Sequence, residues 1–463
     1  MRGSIGRVRS RATTAVAGLA VVGLTALSAC SSGSTATSGA GAASSGAAPG
    51  TAASGSGAAG ATAAATPGNP PNYPVTNYVR YVGGKAGAAN PALSPVYIGW
   101  INQQGGANDL APEATSGATL SVNYINQHLG GIDGHPLKLV QCFVADTVAA
   151  AAQCGQQLAN DSRVQVIAVG AVTIGNQAME SALAPTHKPI VFGVSGSEVD
   201  VSYNPGFLLF GDSLHLEGPI ATFIAQHLHA KNAAIVYENI PGASVNATVI
   251  ANGLKIENVT SKIVGFDPST TNLVEPLIAA GAGTASAVVA LVYGDDCVNF
   301  NNAVKQLNVT APVVTNVTCI SSSIIQGDGG TLPSWYYAVG SSLASDSSDP
   351  SGAAFTAVAD MYKAQSLVSD NWITVTFSQL LTITKLLNEV GPADATAAKF
   401  TSAAHAFKGP LLWGPPRLVC GKYKTAPSVC NDEVQFFYYQ NGKFDRTQQW
   451  TGPPPGLTVP SGG

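Results

Sequence analysis

Charge is scarce in this sequence: a tenth of its 463 residues are Asp, Glu, Lys or Arg, while 45% are hydrophobic. The 22 bases are outnumbered by 26 acids. Without a basic excess the chain lacks the electrostatic footprint by which proteins hold a phosphate backbone, so nucleic acid is not an expected partner. None of the seven cysteines belongs to a Cys-x-x-Cys knuckle or redox motif. The seven histidines are scattered, with no His-Glu-x-x-His pair. His227 and His229, two apart on a helical stretch, point apart and cannot share a metal. Gly193-Val194-Ser195-Gly196-Ser197 approaches the hydrolase elbow Gly-x-Ser-x-Gly but has serine where the last glycine belongs. No catalytic constellation, metal site or cofactor is therefore expected. Beyond residue 30 no apolar run reaches the roughly 20 residues that a spanning helix needs.

What is present begins at the N-terminus. Arg2, Arg7, Arg9 and Arg11 stand without an acid before an uncharged apolar run from 12 to 29, the layout of an export signal. The run ends in Leu27-Ser28-Ala29-Cys30, which resembles the lipobox of bacterial lipoproteins. That resemblance implies a signal peptide over 1–29, cleavage before Cys30, and acyl chains on Cys30 that anchor the protein to the extracytoplasmic face of the cell membrane. Losing the signal removes four bases and no acid, leaving 18 against 26. Ser31 to Asn72 is Gly, Ala, Ser, Thr, Pro and Asn without one charged residue, too poor in large apolar side chains to order itself. As a flexible tether this segment has a root-mean-square span of about 35 Å. Residues 30–94 are accordingly expected to be lipidated cysteine, linker and extension, and 451–463 a disordered tail. With Cys30 assigned to lipid, six cysteines remain in three close pairs: Cys142 with Cys154, Cys297 with Cys319, and Cys420 with Cys430. Fifteen pairings are formally open, and an exported context with short loops favours these local disulfides.

From Val96 onward, short apolar runs alternate with segments of helical period. Strands are expected at 96–101, 137–144, 164–169 and 189–192, with helices at 112–128, 148–159 and 176–184 between them. Gly130-Gly131-Ile132-Asp133-Gly134 ends the first helix, since glycine accepts the left-handed conformation of a C-cap. The rhythm restarts after Asp212, with strands at 233–237, 261–266, 287–293 and 313–317 and helices at 217–229, 243–254, 271–280 and 298–307. Repeated β-α units with right-handed crossovers build a parallel sheet covered on both faces. The fold class expected is α/β, two doubly wound lobes with a central cleft. A strand at 335–339 precedes helices at 353–364 and 372–390 that should complete the first lobe. A hairpin over 434–439, turning at Asn441-Gly442, closes the chain.

This order, together with several phrases, resembles the type 1 periplasmic binding proteins of branched-chain amino acid ABC transporters over roughly Pro95 to Trp450. The most specific piece is Asn123-Tyr124-Ile125-Asn126 followed by Gly130-Gly131-Ile132-Asp133-Gly134-His135-Pro136-Leu137-Lys138-Leu139-Val140. Ala184-Pro185-Thr186-His187-Lys188-Pro189-Ile190 and Gly409-Pro410-Leu411 add to it. The resemblance implies three crossings between lobes: a first lobe of 95–213 plus 340–407 and a second of 214–339 plus 408–450. It implies a small-molecule ligand, permease and ATPase subunits as partners, and no enzymatic activity. A ligand-sensing lipoprotein that signals to a membrane receptor is the alternative on the same fold, and a hydrolase the remoter one.

Carried over residue by residue, the resemblance places first-lobe contacts at Thr173 and Asn176 and at Ser195 and Ser197, hydroxyl and helix-start groups suited to a ligand's acceptor end. A helix cap and a turn explain the same residues equally well on chemistry alone. The second lobe departs from the pattern. Where amino acid binders place an aromatic, this chain has Glu238-Asn239, and where leucine-type proteins place an acid, it has Thr318-Cys319. Either Asp295 or Asp296 receives an ammonium instead, or the ligand is not an α-amino acid. Replacing Cys30 with Ala should shift the protein from the detergent phase to the aqueous phase; unchanged partitioning of that variant contradicts acylation at Cys30.

Overall fold

The computed structural model describes residues 73–106, 111–240, 242–320, 322–343, 346, 348–364, 371–447 and 449–459. The signal, Cys30 and the tether lie outside them. Residues 73–94, expected to extend the tether, belong to the folded body. Asn77 caps α1 (Tyr78–Val82) by accepting from the Arg80 amide. Tyr78, Tyr81 and Val82 are buried in the first lobe's core, and the Tyr81 hydroxyl lies 2.9 Å from Thr382 Oγ1. Rings of this size bury enough apolar surface to hold so short a helix.

The first sheet is wholly parallel. Its strands are β1 (Val96–Asn102), β2 (Leu137–Phe143), β3 (Val164–Val169), β4 (Ile190–Phe192) and β5 (Gly206–Leu208), in the order β2-β1-β3-β4-β5. The crossover helices are α2 (Pro112–His128), α3 (Val148–Asn160) and α4 (Asn176–Leu183). Strands covered on both faces read as unbroken apolar runs, which is why these bounds were visible in the sequence. β5, three residues long, has no period to show.

A second set follows: α5 (Ser213–Gln226), β6 (Asn232–Glu238), α6 (Ala243–Ile256), β7 (Thr260–Phe266), α7 (Val274–Ala280), β8 (Ala287–Leu291), α8 (Asp296–Gln306), β9 (Val313–Asn316), α9 (Ser322–Gly327) and β10 (Tyr336–Val339). The chain then returns through α10 (Pro350–Met361), α11 (Asn371–Val390) and α12 (Ala397–Ala406), whose buried side chains join the first lobe's core. α11 is its centre: Phe377 meets the rings of Tyr78, Tyr124, Phe355 and Trp413. The antiparallel pair β11 (Gln435–Gln440) and β12 (Lys443–Arg446) completes a seven-stranded sheet in the order β12-β11-β10-β9-β8-β6-β7.

Two expected boundaries are corrected. Residues 408–430 stay with the first lobe: Leu411, Leu412, Trp413 and Leu418 lie in its core, and Leu208 exchanges backbone hydrogen bonds with Ser428 and Cys430. Residues 451–459 are not a loose tail, and 460–463 lie outside the described residues. Thr451 pairs with Val434 through two backbone bonds, and Pro453 and Leu457 pack on Gly218 of α5. The three disulfides are Cys142–Cys154, Cys297–Cys319 and Cys420–Cys430.

Three crossings join the lobes side by side, and glycine is what lets them touch. A Cβ on Gly211 would lie 2.6 Å from Asn431 O, and one on Gly340 would lie 2.9 Å from Phe210 O. Asn431 Nδ2 donates to the carbonyls of Gly340 and Glu433, tying the second crossing to the third. Nearby, the Arg446 guanidinium on β12 donates to Asp346 at 2.6 Å and Asp349 at 2.9 Å, two buried carboxylates at the start of α10. Removing one partner of a buried ion pair leaves uncompensated charge. Arg446→Ala should therefore lower the unfolding free energy by about 3–5 kcal/mol in urea titration; a loss under about 1 kcal/mol would show that the pair does not tie hairpin to helix.

Candidate ligand cleft

In both sheets the strand order reverses beside the first strand, between β1 and β3 and between β6 and β8. At such a switch point the adjacent crossovers leave in opposite directions and a crevice opens at the strands' C-terminal ends. In the first lobe, Asn102 Oδ1 accepts from the Ala171 amide at 2.8 Å, and Gln103 Oε1 accepts from Thr173 N and Oγ1 at 3.0 and 3.1 Å. In the second, Glu238 ends β6 and Tyr293 follows β8. The lobes meet at this edge: a Cβ on Gly242, the N-cap of α6, would lie 4.0 Å from Glu198 Oε1. Two surface hollows of about 510 and 460 Å³ open instead at the N-terminal strand ends, one beside Val96 and Arg163, the other beside Pro312 and Asp328.

The first-lobe wall is organised by Asp200, which is fully buried. Its Oδ2 accepts from the amides of Gly196 at 2.7 Å and Ser197 at 3.0 Å, and from Ser195 Oγ at 3.4 Å. Its Oδ1 accepts from Asn176 Nδ2 at 2.8 Å and Ser197 Oγ at 3.1 Å. Ser195 Oγ also donates to Ser197 O at 2.7 Å. The two loops expected to hold the ligand's acceptor end are thus brought together, but by the chain's own carboxylate. Their contact is tight, since a Cβ on Gly196 would fall 1.7 Å from Val172 O. Expected as donors to a ligand, Thr173, Asn176, Ser195 and Ser197 instead spend their side-chain donors on Gln103, Val172 O, Ser197 O and Asp200. A signal for this was present in Ser197-x-x-Asp200, the spacing of a capping box, which the structure forms.

On the second-lobe wall, Asp295 stands at the N-cap position of α8 without a side-chain capping bond and is exposed, whereas Asp296 is buried and accepts from Asn299 Nδ2 at 2.8 Å. The Cys297–Cys319 disulfide binds this turn to the loop after β9. There Thr318 Oγ1 donates to Val292 O at 3.0 Å. Two further acids stand close by. Glu217 on α5 accepts from Asn316 Nδ2 at 3.0 Å, and burial pushes its carboxyl up to about 7. Glu238 is raised by burial and by Asp296. Burial, Glu217 and Glu238 together push the Tyr293 hydroxyl up to about 12. Glu217 escaped the sequence reading because its partner lies 99 residues away and nothing local marks it.

Two doubly wound lobes joined by three crossings, with switch points meeting at one edge, define a bilobal solute-binding architecture. Residues 95–426 match the family model described as periplasmic binding protein, and the chain belongs to that family, as a type 1 member. Among solved structures, the leucine-binding protein LivK of Thermotoga maritima shares 14% identity, with a TM-score of 0.59 over 77% of this chain and 99% of that one. The branched-chain amino acid transporter substrate-binding protein LivJ of Streptococcus pneumoniae, in complex with isoleucine, gives 18%, 0.58, 78% and 100%. A solute-binding protein of R. palustris in complex with benzoate gives 13%, 0.57, 78% and 97%. No curated protein matches the sequence.

The Asp200 cluster has a consequence for stability. Burial, with Asp200 alongside, pushes the Glu180 carboxyl up to about 10, so it is protonated in the native state at neutral pH. A carboxyl raised above its unfolded value binds more protons when folded, so it costs stability as pH rises from about 4.5 towards 10. Glu180→Gln stays neutral throughout. Its unfolding free energy relative to the parent should rise by about 1–3 kcal/mol between about pH 5 and about pH 9; a difference independent of pH would contradict the assignment.

Proposed function

We propose that this protein is an extracytoplasmic solute-binding lipoprotein of an ABC importer. Anchored through Cys30, it captures a small polar molecule, an amino acid, amide or related compound, between its lobes and delivers it to permease and ATPase subunits. The carrying observation is that both switch-point edges meet where Glu198 approaches Gly242. A ligand entering there is enclosed by the loops of Thr173, Asn176, Ser195 and Ser197 on one side and by Asp295 and Asp296 on the other. Closure follows from the crossings, which can bend about a few residues while each lobe stays rigid. Binding needs no chemical step, and the serine of the elbow-like turn donates to a carbonyl and a carboxylate rather than to a histidine.

Mass spectrometry of small molecules released from natively purified protein should return one bound species. Calorimetry with that species should then show Asp295→Asn weakening binding by about 1–3 kcal/mol, roughly tenfold to a hundredfold, and Ser195→Ala, whose hydroxyl already donates to Ser197 O, weakening it less. Folded variants that bind as tightly as the parent would place the ligand elsewhere.

A further inference from the structure

The two walls differ in the charge they offer a ligand. On the first lobe, the groups that would receive an anion are consumed: two amides, two hydroxyls and a carboxamide converge on Asp200. A ligand carboxylate entering there finds filled donors, with Asp200 beneath them and Glu198 beside them. On the second lobe, two carboxyl oxygens at the strand ends stay unpaired. Glu217 is 2% exposed and Glu238 9%, and each leaves its Oε2 without a hydrogen-bond partner. Asn316 holds Glu217 over the end of β9, Tyr293 follows β8, and Glu238 ends β6, so the three sit on neighbouring strands of one edge. Glu238 also accepts from the backbone amide of Tyr293, so the ends of β6 and β8 are in contact there.

The loops that follow β1, β3, β4, β6, β8 and β9 contain no Lys, Arg or His. Each carboxyl keeps one partner inside the chain and leaves one buried oxygen unsatisfied, a cost that a donor from outside the chain would remove. Among the described residues no three His, Cys, Asp or Glu side chains are arranged to hold a metal ion. An organic cation bearing N–H groups supplies charge and donors together.

Building on the solute-binding reading above, we propose that the cleft selects an alkylamine or alkylguanidine lacking a carboxylate, its cationic head received by the unpartnered oxygens of Glu217 and Glu238. The bound amine turns two unsatisfied acceptors into charge-assisted hydrogen bonds, and its lack of a carboxylate avoids the closed Asp200 nest. An α-amino acid would set its carboxylate against that nest.

The test uses matched probes that differ by one carboxylate, measured by calorimetry on the full-length protein in detergent: putrescine against ornithine, agmatine against arginine, isoamylamine against leucine, with benzoate and calcium chloride as further arms. In at least one pair the amine should bind tenfold or more tightly than its amino acid, and should weaken several-fold from about 50 to about 300 mM NaCl. Glu238→Gln and Glu217→Gln, which keep shape and remove charge, should each weaken the amine at least tenfold while the unliganded protein melts no lower than the parent. Preference for the amino acids, benzoate or calcium overturns the inference, as do variants that bind the amine unchanged. A panel without any binding overturns it too, and native mass spectrometry then separates the two readings: a retained carboxylate or neutral compound leaves solute binding standing, whereas protein that retains nothing ends both.

Discussion

Parallel strands cannot be joined by tight turns. Each must be reached by a crossover that covers a face of the sheet and delivers the chain back to the same end. In this protein that constraint acts twice, and it sends the C-terminal ends of β1, β3 and β4 to one edge and those of β6, β8 and β9 to another. The strand interiors are then free to be apolar on both faces, as in the fully buried Ala287–Leu291, while polarity collects in the loops at the edge. The crossings at Gly211, Gly340 and Asn431 supply the remaining condition, backbone close enough to keep the two edges together.

Within that frame the fold leaves the chemistry of the walls open. The loops at 171–176 and 193–197 present amides and hydroxyls in the manner of an anion site, yet a carboxylate three residues further on fills them. The opposite wall gathers its acids from α5, β6 and the start of α8, with Thr318 bonded to the backbone beside them. A shared backbone and an altered set of partners are compatible because packing depends on volume and apolar surface, whereas selectivity depends on which donors and acceptors remain unpaired.

The fold was legible in the sequence wherever an element was long enough to bury a periodic face. The helix at 112–128 and the strand at 164–169 coincide with their expected bounds. Four of the labelled elements were missed for related reasons. β5 has three residues, α9 six, α1 has five and is held by long-range aromatic packing, and α12 buries only Phe400 and Ala404 within an alanine-rich stretch. The placement of 408–430 was missed because that segment has no regular structure, and its core contacts reach back some two hundred residues to Leu208.

Taken alone, the sequence determined the alternation of strands and helices, because burial on both faces is recorded in neighbouring residues; it favoured the local pairing of six cysteines, which the structure forms. Only the tertiary structure decided which polar groups are spent and which are left over. Asp200 meets Asn176 across 24 positions and Glu217 meets Asn316 across 99, and a hydrogen bond between distant side chains is saturable and leaves no local pattern.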